Sequence, residues 1–129
     1  MNIHYLQYFE CFNQGRYFEA HEALEILWLA ERGKPRADFL KALIQLAGAF
    51  VHLEKGRLSP AAALFRLARA YLGKYPKSYE HWDTTQGLAL IQDCLSTLEA
   101  NDPINPLSRL APPQLSLPHL LAAPEPRSG

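Results

Sequence analysis

Five polar side chains set among apolar neighbours are where this chain could do chemistry: His21, Glu22 and Glu25 in one segment, Gln45 and His52 in another. His21 and Glu25 are four residues apart, so on a helix they stand one turn apart, on the side that carries Tyr17, Leu24 and Trp28. An imidazole and a carboxylate on so apolar a face must pair with each other, with neighbours or with a bound ion. A divalent metal ion is one partner this set would suit. His21 and Glu25 offer two donors from one helix and His52 a third from a facing helix, leaving a position for water, with Glu22 and Gln45 close by.

Metal-dependent hydrolysis is the narrower form of that reading. His21-Glu22-Ala23-Leu24-Glu25 follows the zinc-protease pattern His-Glu-x-x-His until its last position, where Glu25 replaces the second His and removes the motif's specificity. A di-iron bundle would need paired Glu-x-x-His segments, which are absent. No serine elbow, phosphate loop or dinucleotide fingerprint is present, so the common enzyme classes find no support. Two other readings stand beside the metal. One is a structural network, a His21–Glu25 pair extended by Gln45 and His52, in which removing one partner typically costs about 3–5 kcal/mol. The other is an interaction module, whose helical hairpins bind a peptide, a small ligand or a second copy of the chain, with Trp28, Tyr79 and Trp82 supplying contact area.

The elements that must position these residues are helical. Ile3, Leu6, Phe9 and Phe12 mark a first helix over residues 2–14, ended by Asn13-Gln14-Gly15. A second runs from about Arg16 to Glu31 and stops before Gly33-Lys34-Pro35. The third, about Arg36 to Lys55, has a broad stripe of Leu40, Leu43, Ile44, Ala47, Phe50 and Val51, faced by Gln45, Gly48, Ala49 and His52. A helix apolar or small nearly all round is a central one, and Gly48 in its middle predicts close approach by another helix. Gln45 and His52 then need partners, and His21 and Glu25 are the candidates. Ser59-Pro60 opens a fourth helix that ends near Pro76, with Arg66 and Arg69 on its solvated side. Asp83-Thr84-Thr85-Gln86 reads as a capping box for a fifth, which runs to about Asn101. The fold class is therefore all-α, about five helices in a compact orthogonal or hairpin bundle over residues 1–101.

Residues 102–129 differ in composition. Seven prolines, at 103, 106, 112, 113, 118, 124 and 126, exclude continuous helix, while Leu107, Leu110, Leu115, Leu117, Leu120 and Leu121 are too apolar for a solvated tail. The expectation is an extended proline-rich arm packed on its own domain or on a neighbouring subunit in a homo-oligomer, loose in its last residues. His4 and His119 have no visible partners, and His81 lies in an aromatic-rich loop. A weak internal echo, Gly15-Arg16-x-x-x-Ala20 and Gly56-Arg57-x-x-x-Ala61, suggests two hairpins built alike, in the manner of tetratricopeptide packing.

With 13 basic and 13 acidic residues in 129, the chain has no charge excess to draw nucleic acid or an anionic membrane. The start of the chain has no basic segment leading into an apolar run, and Gln45 and His52 interrupt the most apolar window. Cys11 and Cys94 are far apart and unlike metal ligands in spacing. These features together point to a cytoplasmic protein with reduced thiols and no membrane or nucleic-acid partner.

The stretch Phe12-Asn13-x-Gly15-x-Tyr17-Phe18-Glu19-Ala20-His21-Glu22-x-Leu24-Glu25-x-x-Trp28, followed by Leu43-Ile44-Gln45-Leu46-Ala47 and His52-Leu53, closely resembles an uncharacterised prokaryotic family. That family is domain of unknown function 309, and the resemblance spans about residues 4 to 75. It implies an all-helical fold. It also implies that the family's His-x-x-x-Glu-x-x-Trp signature is carried by His21, Glu25 and Trp28, a signature suggested to bind metal in a family without an established activity. The proline-rich arm lies outside the resemblance.

Overall fold

Apolar residues at three- and four-residue intervals close into five helices: α1 (Ile3–Asn13), α2 (Tyr17–Glu31), α3 (Ala37–Glu54), α4 (Leu58–Leu72) and α5 (Thr84–Leu98). The structure is a computed structural model describing residues 1–108 and 112–118. Among the described residues no helix is long and apolar enough to cross a membrane.

The central member is α3. Eleven of its residues are buried, from Ala37 and Phe39 to Phe50 and Leu53, and α2 and α4 both pack along it. α1 lies against α2, and α5 against α4. Aromatic rings fill the space between: Phe12 meets both Tyr17 and Phe50 edge-on, Tyr17 stacks on Phe50 at 5.0 Å, and Phe50 meets Phe65. The Tyr8 hydroxyl, wholly buried, donates to the Leu43 carbonyl at 2.6 Å.

The sequence echo corresponds to two turns of the same geometry. After α1, the Gly15 N–H donates to Phe12 and the Arg16 N–H to Cys11. After α3, the Gly56 N–H donates to Leu53 and the Arg57 N–H to His52. Both glycines have positive φ, +75° and +70°, as this helix-terminating pair of bonds requires. Each turn sends the chain back antiparallel, so α1–α2 and α3–α4 are two similar hairpins.

Local details depart from the sequence expectations for identifiable reasons. α4 starts at Leu58, two residues before Pro60, because proline's missing N–H costs nothing anywhere in the first turn. Residues 76–82, expected as a loop, contain a small hairpin in which β1 (Ser78–Tyr79) pairs antiparallel with β2 (Trp82–Asp83). Its two turn residues, Glu80 and His81, both have positive φ and are neither glycine nor asparagine, so the usual hairpin signal is missing. Trp82, expected to offer contact area to a partner, is 1% exposed and packs on Gly87 and Phe9. Asp83 does cap α5, accepting from the Thr85 hydroxyl and from the Thr85 N–H, which together hold its carboxyl below the ordinary range. Gln86 does not complete a capping box, since its amide accepts from the Trp82 indole and the Ser116 N–H instead.

The arm begins with a short 3-10 turn at Pro106–Ser108, and residues 112–118 lie across the ends of α1 and α5. The Asn13 side chain donates to the Leu115 carbonyl and accepts from its N–H, the Gln114 amide donates to the Asn13 carbonyl, and Leu115 enters the core. The expectations for Leu110, His119, Leu120, Leu121, Pro124 and Pro126 lie outside the described residues.

At the start of α3, Arg36 supplies no side-chain cap. Tyr75 takes over that role from a distance: its hydroxyl accepts from the Phe39 N–H at 3.0 Å and donates to the Pro35 carbonyl at 2.7 Å. Tyr75→Phe is therefore expected to lower unfolding stability by about 1–2 kcal/mol in a urea titration, with no change in the slope of the transition.

Candidate functional site

One stripe of α3 is not covered. Lys41, Gln45, Gly48 and His52, at intervals of four, three and four, are each half-buried, while the turns of the helix around them are in the core. The stripe lies in a shallow trough between α2 and α4 that is pinched at Gly48, where Leu64 and His21 converge over the helix. Contacts fix the register at two levels. The Lys41 ammonium lies 5.3 Å from the Trp28 ring centroid and 5.9 Å from that of Tyr71. A methyl group built on Gly48 would come to 3.2 Å from Leu64 Cδ1 and 4.0 Å from His21 Cδ2. In antiparallel helices these two levels determine the next, so Glu25, Gln45 and Leu67 share a level, as do Phe18, His52 and Pro60. Along α3 the trough runs about 16 Å, eleven residues at 1.5 Å.

The polar groups on this floor have no internal partners. His21 Nδ1, Gln45 Oε1 and His52 Nδ1 are shielded from solvent and hydrogen-bonded to nothing among the described residues. In both imidazoles the shielded, unpartnered atom is the proximal nitrogen, Nδ1.

The other residues singled out from the sequence have different places. Trp28 is half-buried on the α2 wall, flanked by Lys41 and by the Arg32 guanidinium at 5.8 Å. Tyr17 lies away from the trough: its ring stacks on Phe50, about 180° round α3 from Lys41, and burial pushes its hydroxyl up to about 12. Glu22 and Glu25 are exposed. The apolar face expected for Glu25 ends just short of it. Taking Tyr17 as origin, His21 stands at roughly 40° and Glu25 at roughly 80°, and that extra step carries the carboxylate over the rim. No hydrogen bond joins His21, Glu25, Gln45 and His52 among the described residues, so the tie expected between the two helices is absent there.

Among the described residues no three His, Cys, Asp or Glu side chains come together as a ligand set for a metal ion. His21 and His52 alone do not complete one. A separate cleft of about 550 Å³ lies between α5 and the arm, lined by Phe50, Leu90, Cys94 and Leu107. Burial pushes the Cys94 thiol up to about 12, which leaves it unreactive as a nucleophile. The residues that sequence reasoning missed are Lys41, Leu64 and Tyr71. Lys41 continues the Gln45–Gly48–His52 spacing by one turn, a signal present in the sequence, whereas the two wall residues become apparent only with the helix register.

Residues 5–64 match the family model described as domain of unknown function (DUF309). No curated protein and no solved structure matches the chain.

The tight convergence at Gly48 makes a prediction. An alanine there gains about 1 kcal/mol of helix propensity but presses on the tip of Leu64, a flexible atom that can move. Gly48→Ala should therefore unfold within about 1 kcal/mol of the parent. Gly87→Ala, whose methyl would meet the Trp82 ring at 2.8 Å, should lose about 1–3 kcal/mol in the same calorimetric comparison.

Proposed function

We propose from the trough itself that the protein is a recognition module binding an extended peptide segment between α2 and α4; the DUF309 family, whose model residues 5–64 match, is described without an activity. The observation that supports this most directly is that His21 Nδ1, Gln45 Oε1 and His52 Nδ1 on this face have no hydrogen-bond partner among the described residues. An extended chain offers N–H and carbonyl groups along each edge, able to meet polar groups set along a helix. The rims supply apolar contact. Phe18 is 56% exposed and stacks nearly parallel on the His21 ring, and Leu67, 47% exposed, stands opposite. The open-sided shape suits a peptide backbone better than a compact ligand.

This reading separates from a structural role by the sign of a stability change. Gln45→Met and His52→Leu remove no internal hydrogen bond, so each should unfold in urea within about 1 kcal/mol of the parent or above it. A loss of about 3 kcal/mol or more in either would mark a structural network instead. An isotope-labelled chain titrated with pooled pentapeptides should show amide shifts at residues 41, 45, 48 and 52, weakened in the double variant. A rise in Tm on adding zinc, abolished by His21→Ala, would favour the metal reading.

A further inference from the structure

We infer that this chain pairs with a second copy of itself through the outward face of α2, the two helices lying antiparallel. The inference is independent of the peptide reading, since it uses none of Lys41, Gln45 or His52.

The turn of the helix defines the face. Taking Phe18 as origin, at about 100° per residue, Glu22, Glu25, Ile26, Leu29 and Arg32 fall within roughly 120° of arc, and all are exposed. The buried residues of α2, Tyr17, Ala20, Leu24 and Leu27, lie round the other side. Ile26 and Leu29 are each more than half exposed. Gln7 and Ile26 line one groove between α1 and α2, and Ile3, one turn before Gln7, is also more than half exposed. Both helices of the first hairpin therefore contribute to the apolar patch.

Charge identifies what covers it. In chain order the face runs from acids, Glu22 and Glu25, through Ile26 and Leu29, to a base, Arg32. None of the ion pairs among the described residues includes Glu22, Glu25 or Arg32. The acids just off the face are taken, Glu19 by Arg16 and Glu31 by Arg36. A second copy turned end for end brings its Arg32 to the acids of the first and its acids to the first copy's Arg32. The two Ile26–Leu29 stretches then meet between these contacts. Glu22 and Arg32 are equally distant from position 27, so a two-fold axis at that level satisfies both ends at once.

A parallel pair would set acid on acid and base on base, so the chain order itself selects the antiparallel arrangement. Opposed helix dipoles favour the same choice. Arg32 is steadied for its contact by the Trp28 ring, whose centroid lies 5.8 Å from the guanidinium. Equal numbers of acidic and basic residues leave no net charge to keep two copies apart. The patch is much smaller than the roughly 20–30 residues a side of a stable interface, so the association is reversible and concentration-dependent.

The test is sedimentation equilibrium of the full chain from micromolar to millimolar concentration. The average mass of the parent should climb toward twice that of the chain, and less steeply as salt is raised. Arg32→Glu, and separately Glu22→Lys combined with Glu25→Lys, should each weaken self-association at least about tenfold while melting as the parent does. Mixing these two variants should restore pairing, because each then carries the charge the other needs. Leu29→Gln, which alters no charge, should also pair more weakly. A parent that stays single at millimolar concentration, a charge variant or Leu29→Gln that pairs as tightly as the parent, or a mixture that does not pair would each overturn the inference.

Discussion

The burial of α3 is the constraint on which the rest of the architecture depends. An eighteen-residue helix with eleven buried positions cannot rest on one neighbour, so it must be enclosed by several helices. The two hairpins do this by placing α2 and α4 on either side of it, with α1 and α5 as outer layers. Because the walls are straight helices and the floor is another, enclosure is incomplete along one line. The polar residues Lys41, Gln45 and His52 occupy that line, and Gly48 lets His21 and Leu64 come close to the backbone.

What the sequence makes legible follows from periodicity. The five helices, the central position of α3 and the close approach at Gly48 all come from local spacing, which 3.6 residues per turn converts directly into geometry. The joining of His21 to the Gln45–His52 stripe was within reach for the same reason. Glu25 was not, because a residue near the rim of a helix face can go either way, and the packing of Leu24 and Leu27 decides. Trp28 and Tyr71 are separated by 43 positions and meet only through Lys41, so their partnership depends on the register of three helices. The Glu80–His81 turn and the Tyr75 cap escape sequence reasoning for a related reason. Each replaces a standard local signal with a contact made at long range.

Polar groups serve two distinct purposes in this molecule. Where they hold the fold together they are satisfied: Tyr75 on α3, Asp83 on α5, and Arg36 between Glu31 at 3.0 Å and Glu80 at 2.9 Å. The Arg36 bond keeps the Glu31 carboxyl below its ordinary range. On the trough floor they are left without partners, a burden a fold need not carry for stability alone.

The clasp between Asn13, Gln86 and residues 114–116 bears on how the molecule is made. Its bonds join positions about a hundred residues apart, Asn13 to Leu115, and Leu115 fills a place in the core that nothing nearer in the chain can occupy. During synthesis from the N-terminus, both hairpins can assemble while that place is still empty. The last native surface to form is then the seam where the beginning and the end of the described chain meet. Until it closes, a growing chain has its helices but lacks the long-range contacts that would make opening it a cooperative event.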